Sequence, residues 1–212
     1  MTSASTSTST SANANAGAIL IRPLAGADVP AAAGVLRRGA EAFILHESAP
    51  QDAADFLAQH GEDGIRAALA AGMAYHAALV DGQLAGFIGI RERSHVYHLF
   101  VDERWQRRGI ARRLWECARA AALAPGHAGV FTVNSSNHAV PLYEALGFVR
   151  SAPMQVARVR YNPMRLDAAL TRAVGGVAEV GAVVPDASLA DAALPHARAG
   201  LAVSAAALVD PA

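Results

Sequence analysis

The sequence predicts a mixed α/β fold in which a mostly antiparallel central sheet is flanked by helices. Three stretches predict it. Met73 to Val80 and Leu84 to Ile90 are apolar runs joined by Asp81-Gly82, a turn pair suited to a two-residue hairpin. His95 to Val101 mixes aromatic and aliphatic residues without Gly or Pro, as a buried strand does, and a helical repeat follows it from Ile110. Val130 to Val133 is a further short buried run, followed by a helical stretch from Ser136 to Leu146 that Gly147 ends. Meander strands, a crossover helix, a fifth strand and a second helix make one layered domain.

Taken in order, Ala18 to Leu24 is an apolar run ending near Pro23 and predicts the first strand. Asp28 with Pro30 predicts the cap and first turn of a helix reaching about Ala40. Ala49 to Gly72 predicts a second helical region broken near Gly61 to Gly64, and the charged turn Arg91 to Ser94 separates the hairpin from the strand at His95. In the helix from Ile110, the positions Ile110, Leu114, Cys117, Ala118 and Ala121 fall on one face before Pro125 and Gly126 stop it. Pro141 is expected inside the next helix, bending it before Tyr143. The last strand is expected from Gln155 to Leu166.

A length of 212 residues suggests one domain, 18–167, between a polar Ser/Thr tail, 1–17, expected to be disordered, and an Ala/Val-rich tail, 168–212. Zero formal net charge favours neither nucleic acid nor an anionic membrane surface, and no apolar run reaches the length of a membrane span. The start carries no secretory pattern and the one cysteine, Cys117, allows no internal disulfide, so a reducing cytoplasm is expected. Between Glu41 and Asp63 six acidic residues are uninterrupted by a cation, which is either a solvated face or a field that attracts a cationic amine.

The junction between the His95 strand and its helix is unusual. Arg107, Arg108, Arg112 and Arg113 crowd a helix N-terminus that already carries positive potential, as they would around a bound phosphate or pyrophosphate. Gly109 allows close backbone approach there. Neither a P-loop pattern nor a dinucleotide-binding glycine pattern is present. Gln106, Gly109 and Ala111 instead match [Q/R]-x-x-G-x-[G/A], and the stretch resembles the acyl-CoA loop of the GCN5-related N-acetyltransferases. Ala139, Leu142, Tyr143, Gly147 and Phe148 match most of that family's second pattern, N-x-x-A-x-x-L-Y-x-x-x-G-F.

The resemblance covers about residues 18 to 167 and implies the acyl-CoA N-acyltransferase fold, with acetyl transfer from acetyl-CoA to an amine and no metal. It places the cofactor along Leu99, Phe100, Val101, Gln106, Arg107, Arg108, Gly109, Ile110, Ala111 and Arg112. The family's asparagine falls at Ser136, so Ser136, Asn134 and Asn137 stay open as the cofactor-bonding residue. It implies that the backbone N–H of Val101 stabilises the oxyanion and that Tyr143 is the acid for the departing thiolate. His95 occupies the strand position where some members hold a catalytic glutamate. His98, three residues on, should point to the opposite face unless the strand is bulged; both histidines stay open as base or as satisfied strand residues. The acceptor is a small-molecule amine or a protein amine, and the assembly is left open between monomer and homodimer. An acyl-CoA-binding sensor or docking module of the same fold is the alternative.

Overall fold

A computed structural model of the chain describes residues 17–123 and 125–168; both tails therefore lie almost wholly outside the described residues. The elements are β1 (Ile19–Pro23), α1 (Val29–Phe43), α2 (Pro50–His60), α3 (Glu62–Ala70), β2 (Ala74–Val80), β3 (Gln83–Arg91), β4 (His95–Val101), α4 (Ile110–Ala122), β5 (Val130–Ser135), α5 (Val140–Ala145), β6 (Val149–Arg150), β7 (Gln155–Val156) and β8 (Arg160–Asp167). They form one sheet of eight strands in the order β1-β2-β3-β4-β5-β8-β6, with β7 paired to β8. Every pairing is antiparallel except β4 with β5, which α4 joins by a crossover.

The sheet buries both faces. On one, α4 and α5 supply Leu114, Trp115 and Tyr143, which pack with Phe131 and Phe148. On the other, α1 to α3 supply Leu36, Phe56 and Ile65 against Phe87 and Phe100. The hairpin turn is as expected: Asp81 and Gly82 both have positive φ, 50° and 76°, the signature of a type I′ turn.

Two irregularities set β4 apart from its neighbours. It pairs with β5 only at His95 opposite Thr132 and Val96 opposite Val133, after which the strands part. It also carries a bulge: Gly89 of β3 faces His98 while Ile90 faces Val96, leaving Tyr97 as the extra residue. Val96 and Leu99 therefore belong to the α4 face, whereas Tyr97 and Phe100 belong to the α1 face. His98 lies on this second face too, in ring contact with Phe87 and Phe100.

Several local expectations are corrected. The helix expected from Ser136 is a 3-10 turn, Asn137–Ala139, followed by the six residues of α5. Pro141 is thus in the first turn of α5, where no ladder N–H is lost and no bend is imposed. The last strand is a small hairpin, β7 and β8, with a gap between Val156 and Arg160. The Asp28 carboxylate accepts from Arg22 (2.6 Å) and from the Ala25 amide (2.8 Å) rather than capping α1. The buried face of α4 is Ile110, Leu114, Trp115, Ala118 and Ala122; Cys117 is half-buried and Ala121 exposed.

Gly89 explains how a tyrosine ring lies across β3. A Cβ there would come within 2.4 Å of the Tyr75 ring, so the absence of a side chain makes room for it. We expect Gly89→Ala to destabilise the protein by about 1–3 kcal/mol, the cost of overpacking a filled site. Urea denaturation of wild type and variant measures it, and an unchanged midpoint would refute this account of Gly89.

Candidate active site

The parting of β4 from β5 opens a cleft of about 390 Å³. Leu99 and Val101 of β4 form one wall, and Ala139 with Leu142 of α5 faces them. The floor continues through Trp105, Gln106, Arg107 and Gly109 into Ile110, Ala111 and Arg112 at the start of α4, and Gly39 and Phe43 of α1 close one side. One cavity therefore runs from an apolar wedge in the sheet to a helix N-terminus.

The helix start is built by two left-handed residues. Arg107 (φ 59°) and Gly109 (φ 75°) turn the chain so that α4 begins with its unpaired N–H groups at the cleft. A Cβ on Gly109 would meet nothing within 4 Å, so the space above it is open. The loop is tied back at both ends. Gln106 Nε2 donates to the Val101 carbonyl (3.2 Å), and the Asp102 carboxylate accepts from Arg38 of α1 (2.6 Å) and from Arg104 (2.9 Å). Hydrogen bonds from Arg104 outweigh burial and, with Arg38, hold the Asp102 carboxyl at about 2.

The cationic crowding has a partly internal explanation. Arg112 donates to the Ala145 carbonyl (3.2 Å) and Arg113 to the Ile19 carbonyl (3.1 Å), so these two fasten α4 to α5 and β1. Arg108 lies over the Trp105 ring at 4.8 Å, and Arg107 has no side-chain partner among the described residues. The 18 Lys-or-Arg positions of the chain are all arginine; there is no lysine.

Of the residues singled out in the sequence, Leu99, Val101, Gln106, Arg107, Gly109, Ile110, Ala111 and Arg112 come together at this cleft. Phe100 points to the other face and stacks on Phe87. Tyr143 is fully buried one residue beyond the cleft-lining Leu142, edge-on to Phe148 at 5.2 Å. Ser136 caps the 3-10 turn by accepting from the Ala139 amide (3.3 Å), and Asn137 accepts from Asn162 (2.9 Å). Asn134 and His95 line a separate pocket over β4, β5 and β8, where His95 Nδ1 meets Thr132 Oγ1 at 2.9 Å.

His98 is buried within a polar chain. Its Nδ1 meets the Tyr75 hydroxyl at 2.9 Å and its Nε2 meets His60 Nδ1 at 3.3 Å. Burial pushes His60 down to about 3; burial, then the neighbouring His60, holds His98 well below its ordinary value. Burial likewise raises the Tyr75 phenol.

A second, polar cleft of about 240 Å³ adjoins the first and shares Phe43 and His138 with it. Ala42 and Ile44 line it too, with the polar groups of His46, Glu47, Ser136, Asn137 and Arg160, and Arg160 pairs with Glu47 at 3.2 Å. The sequence reading missed Phe43, His138 and Arg160. His138 stands at a variable position of the second motif, and only the motif's proximity could have drawn attention to it.

Known proteins share this fold. A sequence model of the acetyltransferase (GNAT) domain matches residues 44–168. No curated protein matches the chain. Among solved structures, a GCN5-related N-acetyltransferase of Rhodopseudomonas palustris has 19% identity over 70% of this chain and 94% of its own, with a TM-score of 0.60. The PaiA N-acetyltransferase of Thermoplasma acidophilum, in complex with coenzyme A, has 14% identity over 71% and 99%, with a TM-score of 0.59. YncA of Salmonella typhimurium, with its cofactor acetyl-CoA, has 22% identity over 71% and 94%, with a TM-score of 0.51. At these identities the likeness is one of fold. No helix among the described residues is long and apolar enough to cross a membrane, and they hold no cluster of metal-ligating side chains.

The buried histidines make stability pH-dependent, with a definite sign. Their folded pKa values lie below the ordinary 6.5, so the unfolded chain binds more protons below that pH. Their contribution is complete above 6.5 and is lost as pH falls toward 3. We expect the melting temperature to fall on acidification from pH 6.5 to 4, with a shallower slope, by about one proton, in His60→Phe. Calorimetric scans across this range decide it; parallel slopes would rule out His60 as a contributor.

Proposed function

The chain belongs to the GNAT acetyltransferase family, and from that premise we propose that it moves an acetyl group from acetyl-CoA to an amine, by direct attack in a ternary complex. The observation that carries this reading is the single cavity joining the β4–β5 wedge to the arginine-flanked start of α4. The coenzyme A and acetyl-CoA held by PaiA and YncA support it.

The residues present suit the cofactor. The first N–H groups of α4 with Arg107 and Arg112 match a pyrophosphate, and the apolar faces of Leu99, Val101 and Ala139 match a narrow aliphatic arm. Acetyl-CoA, when bound, supplies the activated thioester. The chain's own task is to orient it, to donate from the Val101 backbone to developing negative charge, and to donate from the Tyr143 hydroxyl toward the sulfur. The acceptor is a small-molecule or protein amine, and the place of action proposed is the cytoplasm.

One observation favours a second reading, an acyl-CoA-binding module without turnover. Tyr143 is fully buried and does not line the cleft, and neither His95 nor His98 does. Release of CoA thiol from acetyl-CoA, screened over alkylamines, a polyamine, amino-acid amides and a peptide with a free N-terminus, separates the two.

Two substitutions test the assignment. Gly109→Glu places a carboxylate at the anion-binding end and must hold φ near 75°, so acetyl-CoA binding measured by calorimetry should be abolished. Unchanged affinity would remove this loop from the site. Tyr143→Phe keeps the ring but deletes the donor, so turnover should fall roughly ten- to a thousand-fold while acetyl-CoA affinity changes little. Equal turnover would make Tyr143 a core aromatic.

A further inference from the structure

We infer that His138 is the base that takes the proton from the acceptor amine, and that this amine enters through the polar cleft lined by Glu47 and Arg160. The inference rests on the acetyl-transfer reading. Phe43 and His138 are the residues common to both clefts, so they stand where a donor in one and an acceptor in the other would meet. Their rings are stacked face to face, centroids 4.0 Å apart and 10° from parallel. Stacking fixes the imidazole plane while leaving its nitrogen-bearing edge unengaged. Neither nitrogen has a hydrogen-bond partner among the described residues.

This separates His138 from the other described histidines. His60 and His98 are buried against one another, His95 is held by Thr132, and His127 uses both nitrogens, on the Arg93 carbonyl and the Gly129 amide. His76 lies on β2, away from both clefts, and His46 sits 3.9 Å from Glu47. The backbone carrying His138 is firmly held. Ser136 caps its turn, and the buried Asn162 donates to Asn137 (2.9 Å) and to the Ser135 carbonyl (3.2 Å) while accepting from Arg150.

The charged and titratable groups facing His138 are His46, Glu47 and Arg160 from the polar cleft and Arg107 and Arg112 from the other. Glu47, held by its pair with Arg160, offers a carboxylate oxygen that can accept from an incoming ammonium group. In the step itself, a proton leaves the ammonium nitrogen for a ring nitrogen of His138. The freed lone pair forms the C–N bond to the acetyl carbon, the C–S bond breaks and its electrons leave with the CoA sulfur; the nitrogen's second proton is lost as the amide forms and ends on that sulfur, so the products are the amide, the CoA thiol and protonated His138.

The test uses the full chain and the best amine from the CoA-thiol release screen. His138→Ala should lower kcat a hundred-fold or more with acetyl-CoA affinity within about three-fold of wild type, and added imidazole or higher pH should restore part of the rate. His138→Gln, which keeps a flat polar group but takes up no proton, should be equally slow. Turnover of His138→Ala within three-fold of wild type, a loss that imidazole and high pH leave untouched, or a rate restored by His138→Gln would each overturn the assignment. If wild type binds acetyl-CoA but turns over no amine, the transferase reading fails and this inference with it. If wild type turns over and only the variants behave as wild type, this inference alone fails.

Discussion

The central constraint in this fold is a ladder that stops early. After two residue pairs β4 and β5 diverge, and the backbone between them, instead of being sealed by a neighbour, borders a cavity. The bulge at Tyr97 contributes, because an extra residue bends its strand and increases its twist just where pairing ends. The far wall is supplied by Ala139 and Leu142, which follow β5 directly in the chain. The parallel pair is joined by a crossover rather than a tight turn, so its strands can part without breaking a hairpin.

A gap of this kind must be braced, and polar groups brace it. Asp102 accepts from α1 and from Arg104 at the point where β4 becomes the loop, and Gln106 closes that loop onto Val101. The two arginine side chains are 61% and 65% exposed, so solvent screens both pairs, and their part is to orient the carboxylate rather than to supply much stability. Behind the strand, the Tyr75, His98 and His60 chain satisfies polar atoms that the bulge turns inward. Gly89 makes this possible by leaving room for the Tyr75 ring.

Much of this could be read in the residues. The Asp81-Gly82 turn, the buried run from His95 and the Gly109 helix start each carry a local chemical signature, and the structure holds them where that signature puts them. The bulge left no such mark, because Tyr97 and His98 are both residues that an alternating strand accepts on either face. Pro141 misled because its effect depends on where the helix begins, and a 3-10 turn moved that start by several residues. The polar cleft was illegible for a different reason: Glu47, in the turn after α1, and Arg160, at the start of β8, are 113 positions apart and meet only in the folded chain.

The exclusive use of arginine has a consequence for self-modification. A guanidinium keeps its proton at any physiological pH and is a poor nucleophile, whereas a lysine amine beside an activated thioester is acylated readily, with or without catalysis. With arginine in place of every lysine, including at the start of α4, the chain presents a bound acyl donor with no side-chain amine to modify. Its positive potential around the cleft is thus chemically inert toward the donor, and acyl groups appearing on lysine in an assay would belong to another protein.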